Sequence, residues 1–146
     1  MLALVQRVRE ARVEVAGEVV GAIGRGLLVF VCAEPQDGPS QVQRLVDKLL
    51  KLRILADDSG RMNRSIVDTA GGLLLISQFT LAADTSGGNR PGFSGAAPPE
   101  QGRALYEAVL AEFRARHAPV AAGRFGADMQ VHLVNDGPVT IPLTVR

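Results

Sequence analysis

The sequence predicts an α+β fold: a curved, mostly antiparallel β-sheet or barrel with two or three helices packed on it. Three observations carry this. Short runs of β-branched and aliphatic residues fill the first third of the chain and return at 73–79 and after 123. Two stretches abandon that pattern for helical spacing. The chain has 146 residues, 47 % hydrophobic and 21 % charged, an ordinary globular balance that suits one domain, 1–146, with a real core.

In chain order, residues 2–8 read as a strand and residues 12–15 alternate polar and apolar side chains as a half-buried strand does. Ala16-Gly17-Glu18 signals a turn, with residues 19–23 as the hairpin partner. Residues 26–33 form a continuous apolar run suited to a central strand. After Asp37-Gly38-Pro39 the apolar positions become Val42, Leu45, Val46, Leu49 and Leu50, one face of a helix. Asp37 or Ser40 is placed to cap it, and Pro39 suits its first turn. Residues 53–56 return to strand, and Asp57-Asp58-Ser59-Gly60 is a loop. Gly71-Gly72 leads into a β-like run over 73–79. Residues 83–98 form a long loop, a kind that often carries function. A second helix starts near Pro98-Pro99-Glu100, with Leu105, Ala108, Val109 and Phe113 on one face. Residues 123–146 read as two strands joined at Asp136-Gly137-Pro138.

Charge and composition narrow the function. The formal net charge is +1 and the pI about 8.0, too little for a protein that grips nucleic acid along many phosphates. Any contact with RNA should be local. The single cysteine, Cys32, sits in an apolar run, has no partner for a disulfide and no metal-ligand spacing around it, and reads as a buried structural thiol. No apolar run approaches the ~20 residues of a membrane span, and residues 1–8 lack signal-peptide character, so the cytoplasm is the expected location and no membrane partner is expected.

Ordinary hydrolytic machinery does not stand out. The two histidines read as a solvated helix-end residue (His117) and an outward strand residue (His132). No nucleophile elbow, zinc cluster or phosphate-cradling glycine loop occurs, and no metal or cofactor is implied. Asp84, Asp128 and Asp136 are scattered and read first as solvated carboxylates.

Two segments invite a closer reading. In Ser77-Gln78-Phe79-Thr80-Leu81, polar side chains interrupt an apolar strand. They are either its outward-facing residues or the mouth of a pocket whose backbone N–H groups hold an oxyanion or a carbonyl. Asn135-Asp136-Gly137-Pro138-Val139-Thr140 reads as a hairpin turn. An X–Pro bond is cis only about 5–6 % of the time, so residues alone favour a trans turn.

Together these segments resemble the two signature motifs of the D-aminoacyl-tRNA deacylase family. The resemblance extends along essentially the whole chain. It includes Gln6-Arg7-Val8, Gly24-Arg25-Gly26-Leu27-Leu28-Val29, Ala82-Ala83-Asp84-Thr85 with Asn89-Arg90-Pro91 and Phe93-Ser94, and a late strand Gly123-Arg124-Phe125-Gly126-Ala127-Asp128-Met129-Gln130-Val131. One departure is Ile141-Pro142-Leu143, where Pro142 lacks an N–H and calls for an edge or bulged strand.

The resemblance implies a homodimer that hydrolyses the ester of D-aminoacyl-tRNA, and of glycine mischarged on alanine tRNA, at the 3′ terminal adenosine. It implies a cis Gly137–Pro138 peptide that enters the partner's pocket and excludes L side chains by collision. Ser77, Gln78, Phe79 and Thr80 would line the reacting centre. Arg7 would fix the Gly-Pro element, Met129 would wall the pocket, and Asn135 and Thr140 belong to the same binding motif. The ribose 2′-OH of the substrate would help activate water, which suits a chain without a triad. Phe79 and Arg7 favour the D-specific branch over a relative acting on L-alanine borne by threonine tRNA. The rival from another class is a non-catalytic nucleic-acid-binding dimer on the same scaffold.

Overall fold

The computed structural model describes residues 1–146. Strand β1 (Leu2–Val15) turns through Ala16 and Gly17 into β2 (Glu18–Ile23), and β3 (Gly26–Cys32) follows. Ala16 (φ 51°) and Gly17 (φ 81°) are both left-handed, as a tight two-residue hairpin requires. Next come α1 (Pro39–Lys51), β4 (Leu55–Ala56), β5 (Met62–Arg64), α2 (Ile66–Thr69) and β6 (Gly72–Ser77). A 3-10 turn (Phe79–Ala82), α3 (Pro99–Arg116), β7 (Val120–Ala122) and β8 (Gln130–Thr144) complete the chain.

The expected strands at 2–8 and 12–15 are one continuous strand, β1, which serves two neighbours on one side. Residues 2–8 pair with β3 and residues 11–15 with β2, while β8 runs along its other edge. The main sheet has the order β2-β1-β3-β6-β7 with β8 on β1. Three of its five pairings are antiparallel, as expected, but the sheet is mixed, because β3 with β6 and β6 with β7 are parallel. The reason lies in the connections: α1 and α3 fall between those strands, and parallel neighbours need a long, usually helical crossover. The sheet curves until its ends nearly meet. A Cβ on Gly21 would stand 2.6 Å from the carbonyl oxygen of Ala122, so β2 approaches β7 only because glycine is there.

The continuous apolar runs now have a cause. In β3, Leu28 faces the inside of the curved sheet with Val8, Val13, Leu74 and Ile76. Its neighbours Leu27 and Val29 face the helices, with Leu73, Leu75, Leu45, Leu49, Val109 and Phe113. Both faces of β3 and β6 are therefore dry, and alternation vanishes. The face expected on α1 is buried in full. On α3 the buried residues are Leu105, Tyr106, Val109 and Phe113; Ala108 is exposed, and Tyr106 takes the place assigned to it. No helix is long and apolar enough to cross a membrane.

Other expectations are corrected. The N-cap of α1 is Gly38, whose N–H donates to Gln41 Oε1 (2.8 Å). Asp37 instead accepts from the Met1 ammonium (2.9 Å) and from Glu34 N (2.7 Å), and so ties the first residue down. Residues 53–56 contribute only the short β4, paired with β5 in a small separate sheet. The helix α2, capped by Ser65 accepting from Asp68 N, falls where no helix was expected. Phe79 lies beyond the end of β6, in the 3-10 turn. The late strand begins at Gln130, not at Gly123. Finally, residues 136–138 are not a hairpin: β8 runs straight through them, antiparallel to β1 on both sides. Pro142 does fall on an edge strand, since β8 pairs with β1 alone.

Candidate active site

The end of β6 opens into a cavity of about 680 Å³. Its lining is mostly apolar and includes Ser77, Gln78, Phe79 and Met129. Four of the chain's six aromatic side chains reach it: Phe79, Phe93, Tyr106 and Phe125. Phe79 and Phe93 meet edge to face at 5.1 Å, and Tyr106 and Phe125 lie 5.9 Å apart with Arg103 stacked 4.8 Å over Phe125. Met129 packs where Gly123 has no side chain: a Cβ there would come within 2.6 Å of its sulfur. Gln78 hands the backbone from strand to turn, its own N–H donating to Val31 O (2.8 Å). The turn's first internal bond runs from Leu81 N to Gln78 O (3.2 Å). The N–H groups of Phe79 and Thr80 precede it and have no acceptor within the turn. Thr80 is exposed and does not line the cavity, and its hydroxyl accepts from Gln78 Nε2 (2.6 Å).

The second motif is built on the β1–β8 ladder. Gln6 pairs with Thr140 and Val8 with Asn135, so residues 136–139 stand opposite Arg7 alone. Four residues against one make a large bulge. Val139 anchors it in the core, while Gly137 and Pro138 are exposed at its tip. The Gly137–Pro138 peptide is cis. Asn135 spans the bulge: its Oδ1 accepts from Val139 N (3.1 Å) and its Nδ2 donates to Thr140 Oγ1 (2.9 Å), which also accepts from Gln6 Nε2 (3.1 Å). Arg7 braces it from below, donating from Nε to Asp136 O and from Nη1 to Ile54 O, each at 2.9 Å. The Asp136 carboxylate lies 3.7 Å from both Arg7 and Arg9 and 3.9 Å from Arg25.

The site residues thus fall into two groups. Ser77, Gln78, Phe79 and Met129 share the cavity, with Thr80 next along the chain but outside its wall; Arg7, Asn135, Gly137, Pro138 and Thr140 share the bulge and are absent from the cavity wall. Register sets the gap. Arg7 pairs with Leu27 and Leu27 with Leu73, whereas Ser77 pairs with Val31 and Val31 with Ala3. Four strand residues, or ~13 Å, separate the two levels of the sheet.

Sequence reasoning missed several contributors. Gln6 and the Ile54 carbonyl support the bulge, Arg9 and Arg25 stand beside its Asp136 carboxylate without a hydrogen bond to it, and Phe93 and Phe125 shape the cavity. Phe93 and Phe125 carried a signal as rare aromatics in distinctive segments, and Gln6 and Arg25 stand in segments that resemble the family; Arg9 and Ile54 carried none. His117 is not merely solvated: it caps α3, and its Nε2 lies 2.7 Å from Gly71 O. His132 does point outward, toward Glu14 (3.4 Å). Asp84 accepts from the Ser86 hydroxyl and N–H, which hold its carboxyl below the usual range, and exchanges backbone bonds with Gly92 to pin the long loop. Cys32 is buried against the Phe79 carbonyl (3.5 Å), and burial pushes its thiol up. Tyr106 donates to Leu75 O (3.0 Å), and burial pushes its phenol up to about 12. Neither histidine is in the cavity wall.

Comparison with known proteins places the chain in a family. Residues 4–144 match the family model described as D-Tyr-tRNA(Tyr) deacylase. The D-aminoacyl-tRNA deacylases of Methylibium petroleiphilum and Aromatoleum aromaticum are each 68 % identical over 145 residues, covering 99 % of this chain and 95 % of theirs. The solved structure of a c-Myc DNA Unwinding Element Binding Protein superposes with a TM-score of 0.95 at 42 % identity, covering 100 % of this chain and 99 % of that one. Another, of a probable eukaryotic D-amino acid tRNA deacylase, shares the fold with a TM-score of 0.81 at 17 % identity over 97 % of both chains. Matched over residues 4–144 by the family model and at 68 % identity by relatives covered almost end to end, the chain belongs to the D-Tyr-tRNA(Tyr) deacylase family and is a hydrolase.

Proposed function

We propose that this enzyme acts in the cytoplasm as a homodimer that hydrolyses the ester of D-aminoacyl-tRNA, and of glycine mischarged on alanine tRNA, and spares L-aminoacyl-tRNA. The observation that carries the reading is the ~13 Å gap between the cavity and the exposed Gly137–Pro138 tip within one protomer. A bulge that cannot line its own cavity, yet is braced by Arg7, Asn135 and Thr140, is suited to line another copy's.

The 3′ terminal adenosine enters the cavity, and the ester carbonyl meets the backbone at Phe79 and Thr80. Their free N–H groups stabilise the oxyanion that forms when water attacks, a preorganised contribution that needs no reorganisation at the moment of reaction. The ribose 2′-OH of the substrate assists the water. Ser77 and Gln78 position the terminal nucleoside, and Met129 closes the wall behind it. The partner's Gly-Pro carbonyls stand where an L side chain would project, a D side chain points away, and glycine has nothing to reject.

Parallel hydrolysis of D-tyrosyl-, L-tyrosyl- and glycyl-tRNA tests this. Loss of the D and glycyl esters with the L ester spared is expected; equal rates for both hands would overturn it. Sedimentation should show a dimer, and an active monomer would remove the cross-subunit element. A second reading, a DNA-binding module, draws on the 42 % identity to the c-Myc DNA Unwinding Element Binding Protein. Salt-sensitive DNA binding with no turnover of any ester would put that reading first.

A further inference from the structure

We propose that Arg9 and Arg25 form a phosphate-binding patch beside the Gly-Pro bulge, which grips the backbone of the substrate tRNA as it enters the composite site. The inference rests on the reading above and adds the contact that holds the nucleic acid.

Three guanidiniums, of Arg7, Arg9 and Arg25, converge on one carboxylate, Asp136, which leaves two positive charges uncompensated. They differ in what else they do. Arg7 is 15 % exposed and spends its donors on the carbonyls of Asp136 and Ile54. Arg9 and Arg25 are 62 % and 72 % exposed, and each has only the long contact to Asp136, at 3.7 and 3.9 Å. Their planar forks keep most of their donors free for phosphate oxygens. Asp136 is adjacent to Gly137, so the shared carboxylate ties both side chains to the level of the bulge. Arg9 comes from β1 and Arg25 from the turn before β3, and the pairing of Val8 with Gly26 brings them to the same end of the sheet. With a whole-chain charge of only +1, a local pair of this kind is the sort of contact the chain can offer an RNA end.

The test compares the wild type with R9Q, R25Q and the double variant on two substrates: D-tyrosyl-tRNA and 3′-O-D-tyrosyl-adenosine, which carries no phosphodiester. Binding of uncharged tRNA is followed across salt in parallel. The double variant should lose on the order of tenfold in kcat/KM on the tRNA, chiefly through KM, and its log–log salt dependence should be shallower by about 1.4, two single-strand phosphate contacts. The D-to-L ratio and turnover of the adenosine ester should hold. Equal losses on both substrates would overturn the proposal, since the arginines would then only brace the bulge; so would an unchanged salt slope for tRNA binding. Single-stranded DNA bound as tightly as tRNA, with the same loss in the variants, would overturn its assignment to the RNA substrate. A wild type inert on both esters would overturn the deacylase reading, and the tRNA-binding slopes would still decide the patch.

Discussion

Arg7→Lys probes the joint between fold and selectivity. Arg7 donates to two carbonyls far apart in sequence, Asp136 O on the bulge and Ile54 O after α1, both at 2.9 Å. Lysine keeps the charge but presents one ammonium where arginine presents a fork, so it can serve one carbonyl and not both. Hydrogen bonds from a charged donor contribute about 1.5–3 kcal/mol each. The side chain is 15 % exposed, so water replaces part of what is lost. A net loss of about 1.5–2 kcal/mol follows, which for a chain of this length lowers Tm by about 5 °C. The effect on chemistry should be separate and selective. With the bulge released on one side, the Gly-Pro tip no longer stands at a fixed distance from the α-carbon, and L-tyrosyl-tRNA should begin to be hydrolysed. Thermal melting and paired D- and L-tyrosyl-tRNA hydrolysis well below Tm measure the two effects. A melt unchanged within about 1 °C, together with an unchanged D-to-L ratio, would refute the bracing role.

Three further outcomes are expected. Thr80→Ala should retain activity within about tenfold, because its hydroxyl faces Gln78 and no base stands by to activate it; a loss near that of a dead enzyme, with the fold intact, would make the hydroxyl catalytic. Gly137→Ala should destabilise by about 1–3 kcal/mol and lower the D-to-L ratio before it slows D-ester turnover, since the new Cβ meets Val139 Cγ2 at 2.9 Å and Arg7 Nη2 at 3.0 Å with φ at +133°; a wild-type melt and D-to-L ratio would contradict the close packing of the tip. Tyr106 sets part of the alkaline limb: its phenol titrates at about 12 in the fold and near 10 in the unfolded chain, so its stabilising effect is present below pH 10 and lost as pH rises toward 12. Tyr106→Phe should cost about 1 kcal/mol at neutral pH through the lost bond to Leu75 O and fall less steeply over that window; identical alkaline slopes in urea titrations would argue against the buried phenol.

How much of this was legible in the sequence depended on range. Where burial follows a period, the reading held: α1 shows its buried face residue by residue, and β1 turns into β2 at Ala16-Gly17 as expected. Ala108 and Tyr106 exchanged places because α3 packs a whole aromatic ring toward the cavity, which the spacing of small apolar residues does not reveal. The direction of β6 was missed because strand residues look alike whichever way they run, and β7 was not expected at all, its three residues being too few to show a pattern; both directions are set by the helices that intervene. Residues 136–138 read as a hairpin because Gly and Pro have the same local meaning in a turn and in a bulge. What distinguishes the two is the partner strand, more than a hundred residues away, where Arg7 stands alone opposite four residues. The candidate site was legible chiefly through the resemblance of whole motifs. The roles of Arg9, Arg25 and Gln6 carry no local signal, because they lie in partners distant in sequence, Asp136 and Thr140.

The placement of the bulge bears on how the proposed selectivity would work. Rejecting one hand of an amino acid means sensing which side of the α-carbon carries the side chain, and a wall that yields by an ångström senses nothing. Exposed side chains yield, having rotamers to move into. A backbone tip does not, provided every polar group around it is tied. Here Asn135 closes the bulge on itself, Gln6 and Thr140 lock the next ladder pair, Val139 is buried beneath, and Arg7 braces it from across the strand. An edge strand supplies the remaining requirement, since only an edge leaves such a tip free to reach another molecule. Chemistry and discrimination then need no shared side chain. On the proposed reading the cavity would supply a place for the ester and free N–H groups for its oxyanion, and the bulge would decide which esters fit. On that division, damage to the bulge should alter which substrates are hydrolysed before it alters how fast the accepted ones are, whereas damage at Gln78 or Phe79 should slow D and glycyl esters alike.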